Sequence, residues 1–326
     1  MNRLLIFIVF IGIVLFIYHT SKPNPNSLEM QPILDDIDPM IMSKVNNGKL
    51  NVWTFCQDED YSFKMNWRQP IGKYNYKYPF QKLCVETMLK HLSGYDINFI
   101  IINRKNAHLY VPHFPTRLKH SGFGYGDKPV NDLLGAYLLE KYGGLWLSPY
   151  TVCLNRDYRG LFSDCKSYEM VTFGTSPNMI TNMVPHKNMT YVNNLIIGAK
   201  RNCPCIIAYK NLLEQHLFGK QYQYMYNHVG KNPEPLGEAI VYTKPLQKHY
   251  SSIYDGSYNI NDRKIHIDAM LGKMPLQFKD PMSMLFVSVP YNEWSTDTNY
   301  RWILNTSYDE LLNSNIAIVE TIKSVM

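Results

Sequence analysis

Side chains capable of acid–base or metal chemistry are scattered along this sequence, and they match none of the common catalytic motifs. There is no Walker loop, no G-x-S-x-G elbow and no H-E-x-x-H pattern. The spacing of His108, His113 and His120 places no two of these imidazoles on one helix face, which disfavours a metal site. His266 and Asp268 alternate on a predicted strand and share a face, so they are candidates for a metal or diphosphate contact.

A more informative group of residues surrounds one predicted helix near the middle of the chain. Asp132 is either a first-turn acid favoured by the helix dipole or a residue that binds a ligand. Gly143 and Gly144 either stop the helix or let the backbone pass close to a ligand, because glycine has no Cβ in the way. Elsewhere, Asp58-Glu59-Asp60 supplies candidate general bases, although a solvated loop is the simpler interpretation.

The elements that must position these residues alternate between strand and helix. We predict a strand at 50–55, a helix at 80–92, a strand at 96–102 (a buried parallel one), a helix at 128–142 and strands at 145–147 and 151–154. This alternation predicts an α/β fold with a mainly parallel sheet. Ligands bind beyond the carboxyl ends of the strands in such sheets, so the segments after Phe55, Ile102 and Leu147 are the first places for a site.

The second half of the chain gives weaker patterns. They predict strands at 191–199, 263–267 and 283–289 and helices at 205–217 and 236–246. Residues 112–127 are rich in Pro and Gly and predict a loop. The aromatic segment Gln221–Asn227 either lines a cleft or packs in the core. Ser307 and Glu310 have the spacing of a capping box, which predicts the start of a final helix.

Composition limits the class of protein. With 326 residues, of which 45% are hydrophobic and 18% charged, the chain can bury a substantial core. The net charge of +6 comes from scattered Lys and Arg, which disfavours a nucleic-acid groove and suits an anionic small substrate or a membrane surface. Six cysteines are too few for a disulfide scaffold, so we expect buried free thiols or, in an oxidising compartment, one or two disulfides.

The amino terminus predicts a membrane anchor. Residues 4–18 carry no charge and span about 22 Å as a helix, and the flanked stretch 1–20 is long enough to cross a thin membrane. A cleaved signal peptide is the main alternative, but no small-x-small site follows the hydrophobic run; a buried helix is the third. Arg3 precedes the run, which favours a single-pass type II orientation with the body lumenal or extracytoplasmic.

The rest of the chain divides into two parts. Residues 21–47 contain four prolines and the acidic residues Asp35, Asp36 and Asp38, which predicts an extended, poorly packed stem. From residue 48 onwards the strand and helix patterns begin. We therefore expect a transmembrane signal-anchor at 1–20, a stem at 21–47 and one folded domain at 48–326.

The segments Asn131–Leu134 and Tyr142–Leu147 resemble the sugar-nucleotide-binding region of DXD-type glycosyltransferases, a family that includes capsular-polysaccharide-synthesis proteins and similar proteins of large DNA viruses. In that family, Ser-Asp-hydrophobic-hydrophobic-Arg lies on a helix that ends in Tyr-Gly-Gly, and an aromatic, an aliphatic and Asp-x-Asp follow. Val52-Trp53-Thr54 resembles the first strand, and 193–199 resembles a later segment. The resemblance implies a glycosyltransferase A-type fold, a nucleotide-sugar donor, a glycan or protein acceptor, and a viral or bacterial source.

The resemblance also assigns roles to individual residues. Asp132 would accept hydrogen bonds from the hydroxyls of the donor sugar, and Trp53 would stack on the nucleotide. The paired glycines would let the backbone approach the donor. Gly144, Ser148 and Tyr150 would line the diphosphate end of the donor. Gly143 would lie beside them. In the family, a divalent Mn²⁺ or Mg²⁺ held by the DXD carboxylates stabilises the leaving diphosphate. No catalytic base is identified.

The sequence departs from the family pattern at two positions. Ser148-Pro149-Tyr150 stands where Asp-x-Asp is expected, and Gly135 stands where the helix arginine is expected. A hydroxyl and a phenol are poor ligands for Mg²⁺ or Mn²⁺, so no metal ligand is assigned. The leading hypothesis is a membrane-anchored hexosyltransferase-like protein. The alternatives are a catalytically degenerate fold that binds glycans or acts as a structural membrane protein, and a secreted disulfide-bonded protein unrelated to sugars.

Overall fold

The structure is a computed structural model, and all of its described residues belong to one compact unit, Ile37–Met326. The described residues are 39–56, 78–114, 118, 128–174, 192–218, 235–251, 265, 267–278, 282, 284–289, 302–303 and 306–326. Elements are numbered over these residues.

Eight strands form two sheets in the described part of the chain. They are β1 (Leu50–Phe55), β2 (Ile97–Ile102), β3 (Gly144–Leu147), β4 (Thr151–Cys153), β5 (Met170–Gly174), β6 (Val192–Ala199), β7 (Gln247–Ser251) and β8 (Phe286–Ser288). The larger sheet has the order β2-β1-β3-β6-β5-β7, and β4 pairs with β8. In the larger sheet only β6 runs against the other five strands. The predicted α/β fold with a mainly parallel sheet is therefore confirmed.

Helices cover both faces of the larger sheet. They are α1 (Pro39–Val45), α2 (Tyr78–Leu92), α3 (Ala107–Tyr110), α4 (Lys128–Tyr142), α5 (Arg159–Ser167), α6 (Pro204–Phe218), α7 (Pro235–Thr243), α8 (Ile267–Leu271), α9 (Tyr308–Leu312) and α10 (Ala317–Val325). Because side chains alternate along a strand, Trp53 faces a core shared with α4, α6 and α7, whereas Val52 faces a core shared with α2 and α5. A third core joins α2 to β4, β8 and the carboxyl-terminal helices.

The winding of the larger sheet reverses between β1 and β3. The chain passes from β1 through α2 to β2 on one side, and then through α4 to β3 on the other side of β1. The carboxyl ends of these two strands, at Phe55 and Leu147, therefore form a topological switch point, where open α/β sheets bind their ligands. The sequence named both strand ends as candidate places for a site.

Helix α4 has the predicted bounds. Pro129 lies in its first turn, where its missing N–H costs nothing. Gly143 ends it in the left-handed conformation, with φ of +68°, and its backbone N–H donates to the carbonyl oxygen of Leu139 at 2.9 Å. The predicted capping box is also confirmed, because Ser307 and Glu310 exchange hydrogen bonds at the start of α9.

The other predicted elements are found with ends shifted by a few residues, with one exception. The segment predicted as a strand at 263–267 runs into helix α8, which starts at Ile267 and carries Asp268 in its first turn. Met270 is buried while Asp268 is exposed. In a strand these two residues would share a face, so the difference in burial indicates a helix. The prediction that His266 and Asp268 share a strand face is therefore wrong, because Asp268 lies in a helix. His266 lies outside the described residues.

Strand β2 is parallel as predicted, but it lies at the edge of the sheet and is less buried than predicted. Ile100 and Ile102 are buried, whereas the other side chains of the strand are only half-buried. An edge strand has a neighbour on one side only, so a continuous apolar run does not guarantee full burial. Helices α1, α3, α5 and α10 and strands β5 and β7 were not anticipated.

The end of the predicted stem is part of the folded unit. Residues 39–45 form α1, and Val45 packs in the core that contains Trp53. The Val45 carbonyl oxygen accepts a 3.0 Å hydrogen bond from Asn51 Nδ2, which ties the end of α1 to β1. An apolar residue next to the first strand is therefore buried, despite the prolines that precede it.

Several predictions fall on residues outside the described part. They concern the hydrophobic run at 4–18, the acidic run at 58–60, His120, the aromatic segment 221–227 and most of the loop 112–127. Among the described residues, no helix has the length and hydropathy needed to cross a bilayer. All six cysteines are described, none is in a disulfide, and five are buried, which agrees with the interpretation as free thiols.

Candidate functional site

The carboxylate of Asp132 is the centre of a buried polar cluster at the start of α4. Only 7% of the residue is exposed. Its Oδ2 atom lies 2.7 Å from Lys128 Nζ and accepts a 2.9 Å hydrogen bond from Asn194 Nδ2. Burial raises the pKa of this carboxyl, and the neighbouring Lys128 ammonium opposes the rise. The ammonium and the amide together hold the carboxylate in one orientation.

Ser148 lies at the same edge of the sheet as this cluster. Its backbone N–H donates to the carbonyl oxygen of Leu195 at 2.7 Å, which continues the β3–β6 pairing just past the end of β3. Asn194 is the next residue along β6, so the contact brings Ser148 close to the residue that holds Asp132. Ser148 is also buried, at 4% exposure. The Ser148 backbone just past the end of β3 is therefore paired with the residue next to Asn194, whose amide holds Asp132 on α4.

Tyr150 belongs to the third core. Its ring packs with residues of α2 and of the carboxyl-terminal segment, and its hydroxyl accepts a 2.8 Å hydrogen bond from Gln81 Nε2. Its carbonyl oxygen accepts a 2.8 Å hydrogen bond from the Val289 N–H. Tyr150 thus joins three parts of the fold, and its hydroxyl is already occupied by protein.

Gly143 and Gly144 lie at the opposite, amino end of β3. Gly144 has a φ of +113°, and a Cβ there would stand 2.1 Å from the Asn51 carbonyl oxygen. A Cβ on Gly143 would stand 2.7 Å from the Arg201 backbone nitrogen. Both positions need glycine because protein backbone approaches them closely, and in the described structure that backbone comes from β1 and from the segment before α6.

Trp53 lies entirely inside the core and is fully buried. Its Nε1 donates a 2.9 Å hydrogen bond to the Gly143 carbonyl oxygen. Its ring centroid is 5.7 Å from that of Tyr110 and 5.4 Å from that of Tyr142. These contacts give Trp53 a positioning role between β1 and the end of α4.

The structure therefore separates the predicted site residues into three places. Asp132 and Ser148 lie toward the switch-point edge, where Asn194 bonds Asp132 and the neighbouring Leu195 accepts the Ser148 N–H. Tyr150 packs in the third core, and Trp53 lies in the core on the α4 side, bonded to Gly143 at the amino end of β3. Lys128 and Asn194 were not predicted. The four-residue spacing of Lys128 and Asp132 on one helix was a usable signal, whereas the Asn194 contact spans 62 residues and has no local signature.

The packing around Gly135 explains why a glycine stands at this position of α4. A Cβ at this position would lie 2.6 Å from the Trp146 indole ring, which therefore rests directly on the α4 backbone. Trp146 is almost fully buried. Any side chain at position 135 would compete with this indole for the same space.

The residues described so far at this edge do not fit a divalent cation. Mg²⁺ and Mn²⁺ prefer several carboxylate or carbonyl oxygens, whereas Ser148 offers a hydroxyl, and the Tyr150 phenol packs in the third core with Gln81 bonded to it. Within the described part of the chain, no three His, Cys, Asp or Glu side chains are grouped so that they could hold a metal ion. Asp132 is the one carboxylate of the cluster just described, and an ammonium already holds it.

Comparisons with known proteins find distant similarity of structure only. No protein-family model and no curated protein matches the sequence. Among solved structures, the chain is similar to the galactosyltransferase LgtC in complex with donor and acceptor sugar analogs, at 10% identity and a TM-score of 0.38, over 85% of this chain and 96% of that one. It is also similar to the PaToxG glycosyltransferase, at 11% identity and a TM-score of 0.31, over 89% and 94%.

A third similar structure is the glycosyltransferase GlyE of Streptococcus pneumoniae TIGR4. The identity is 11% and the TM-score 0.40, over 85% of this chain and 63% of that one. Likeness at this level is distant, and it says nothing about the ligand or the reaction of this chain.

Proposed function

We propose that this protein binds a nucleotide sugar at the carboxyl ends of β1 and β3 and transfers the sugar to a glycan or protein acceptor. One observation carries the proposal. Asp132, which matches the helix aspartate of the resembling family, is buried and is oriented by Lys128 and Asn194. Asn194 precedes Leu195, whose carbonyl oxygen accepts the Ser148 backbone N–H just past the end of β3. The glycosyltransferase A-type fold is part of the proposal.

The chemistry of the reaction defines what the site must do. The bond between the anomeric carbon and the donor diphosphate breaks, a bond from the same carbon to an acceptor oxygen forms, and the acceptor hydroxyl loses its proton. Asp132 Oδ2 is held by protein, while Oδ1 makes no hydrogen bond with the residues that the structure describes. Oδ1 is therefore the oxygen that accepts hydrogen bonds from sugar hydroxyls. An ionised acceptor of this kind forms the stronger class of hydrogen bond.

Thermal unfolding of the full-length protein with UDP, GDP or CMP tests the binding half of the proposal. A ligand at 100 times its dissociation constant adds about 2.7 kcal/mol to the free energy of unfolding, which gives a clear shift. Release of the nucleoside phosphate from matched nucleotide sugars tests transfer. We expect Asp132→Ala to abolish the sugar-dependent part of binding, whereas Asp157→Ala, which removes an exposed carboxylate, should leave binding unchanged. Absence of a shift with every nucleotide overturns the proposal.

A second candidate function is a non-catalytic glycan-binding or structural role on the same fold. The replacement of Asp-x-Asp by Ser148-Pro149-Tyr150 favours it, because the group that usually stabilises the leaving diphosphate is missing. This candidate predicts stabilisation by glycans, or by nucleotides without release of product. Product release from any nucleotide sugar eliminates it.

Membrane anchoring by residues 1–20 completes the proposal. It is supported by the uncharged run from Leu4 to Tyr18 and by Arg3 before it. The full-length protein should remain with membranes after an alkaline wash, and Ile11→Lys should release it, because a charge at the centre of the run opposes insertion. Complete release of the unaltered protein contradicts the anchor.

A further inference from the structure

We propose that this site binds the diphosphate of its ligand without a divalent cation, and that the Lys128 ammonium supplies the positive charge that a metal ion would otherwise provide. This inference rests on the proposed function, because it assigns a role within the same site. It differs from the resembling family, in which the DXD carboxylates hold the cation.

The first argument is the poor fit to a metal of the local residues that the structure describes. The Tyr150 hydroxyl is bonded to Gln81, and Ser148 offers a single hydroxyl. Asp132 provides one carboxylate, and its Oδ2 atom already lies 2.7 Å from an ammonium. A divalent cation bound to this carboxylate would lie beside Lys128 and be repelled by it.

The second argument is the position of the ammonium. The Lys128 side chain keeps 29% of its surface exposed, whereas the Asp132 side chain keeps only 7%. Lys128 is therefore the more accessible side chain of the pair, although the pair is neutral overall. An ammonium carries three N–H donors, so its bond to Asp132 is compatible with a further bond to a phosphate oxygen.

The third argument is that the ammonium is held in place. Asn194 orients the Asp132 carboxylate through a 2.9 Å hydrogen bond, and the carboxylate in turn fixes the end of the Lys128 side chain. A flexible lysine loses conformational entropy when it binds a ligand, and fixing it beforehand lowers that cost. The chain Asn194–Asp132–Lys128 thus places one positive charge at the switch-point edge.

Calorimetric titration of the full-length protein with UDP and GDP tests the inference, in EDTA and in Mn²⁺. We expect the same dissociation constant in both conditions. In EDTA, UDP should bind at least about tenfold more tightly than uridine, which lacks the phosphates. Lys128→Gln should weaken UDP binding about ten- to a hundredfold, as expected for loss of a hydrogen bond to a charged group, and Lys128→Arg should restore most of it.

The controls separate a local effect from misfolding. Gln at position 128 retains an N–H donor toward Asp132, so the variant should unfold cooperatively. Lys141→Met removes a positive charge from the opposite end of the same helix and should leave UDP binding unchanged. If Lys128→Gln fails to fold, the comparison of UDP with uridine still tests the charge requirement on the unaltered protein.

Two kinds of result overturn the inference in distinguishable ways. If UDP and GDP bind only with Mn²⁺, or if Lys128→Gln binds UDP as tightly as the unaltered protein, the role of Lys128 is refuted and the proposed function stands. If neither nucleotide binds in either condition, the proposed function fails together with the inference.

Discussion

The indole Nε1 of Trp53 donates a 2.9 Å hydrogen bond to the carbonyl oxygen of Gly143, 90 residues further along the chain. This bond joins the middle of β1 to the residue that ends α4. It fixes the point at which the chain leaves the helix and enters β3. The aromatic residue that the resemblance placed against a nucleotide therefore helps to set the position of the strand that carries Ser148.

Replacement of Trp53 by Phe tests this positioning role. The variant leaves the Gly143 carbonyl oxygen without its partner and opens a small cavity, so we expect a loss of about 1–3 kcal/mol in the free energy of unfolding. Nucleotide affinity should stay the same, because no ring face is open to a base. Urea denaturation and calorimetric titration measure the two effects. Trp302→Phe, at a position that is 47% exposed, should change stability by less than about 0.5 kcal/mol.

Gly144 should not tolerate any side chain. Gly144→Ala combines a φ of +113° with a Cβ placed 2.1 Å from the Asn51 carbonyl oxygen. We expect a loss of about 3 kcal/mol or more, measured by urea denaturation. Gly160→Ala is the matched control, because a Cβ there meets nothing within 4 Å and lies in helix α5, so stability should be unchanged or slightly raised. Equal effects at the two positions would contradict the close approach of β1 and β3.

Substitutions at Gly135 and Trp146 should have coupled effects on the free energy of unfolding. Alanine normally stabilises a helix interior relative to glycine by about 1 kcal/mol. Here the new Cβ would meet the Trp146 ring at 2.6 Å, so we expect Gly135→Ala to destabilise the protein by about 1–3 kcal/mol. In a Trp146→Leu background the same substitution should become neutral or favourable. A double-mutant cycle measures the coupling, and additive effects would refute the contact.

The pH dependence of stability tests whether burial or the ion pair dominates at Asp132. Burial raises the pKa of this carboxyl despite Lys128, so the folded state binds its proton more tightly than the unfolded state does. The contribution of the Asp132 carboxyl to the free energy of unfolding is then fully present below the ordinary pKa near 3.8. This contribution is lost as the pH rises through the raised pKa. The stability of the unaltered protein relative to Asp132→Asn should therefore fall as pH rises.

Asp157 supplies a control of opposite sign for this experiment. The Arg159 side chain holds the pKa of the exposed Asp157 carboxyl at about 2. Its contribution is present above the ordinary value and is lost as the pH falls toward 2, so stability relative to Asp157→Asn should rise with pH. Urea denaturation at a series of pH values measures both differences. A rise with pH for Asp132 as well would mean that the Lys128 ion pair outweighs burial.

Local patterns in the sequence were sufficient to predict most of the helices and strands. The apolar spacing in Lys128–Tyr142, its first-turn proline and the glycine that follows predicted α4 with the observed bounds. The alternation of strands and helices predicted a mainly parallel sheet, and the reversal of its winding places the switch point at two of the three strand ends named from sequence. These features depend on periodicity and on backbone preferences within a few residues, which a single sequence records.

The tertiary structure alone decided which of the candidate residues meet. Asn194 reaches Asp132 across 62 residues because β6 runs antiparallel beside β3, and Asn51 approaches Gly144 because β1 and β3 are neighbours. The same packing encloses Trp53. Strand order and direction arise from long-range pairing and from the burial of whole faces, and these leave no signature in the few residues around each position. The sequence therefore determined most of the elements and the edge to inspect, while the fold brought Lys128 and Asn194 to the Asp132 carboxylate.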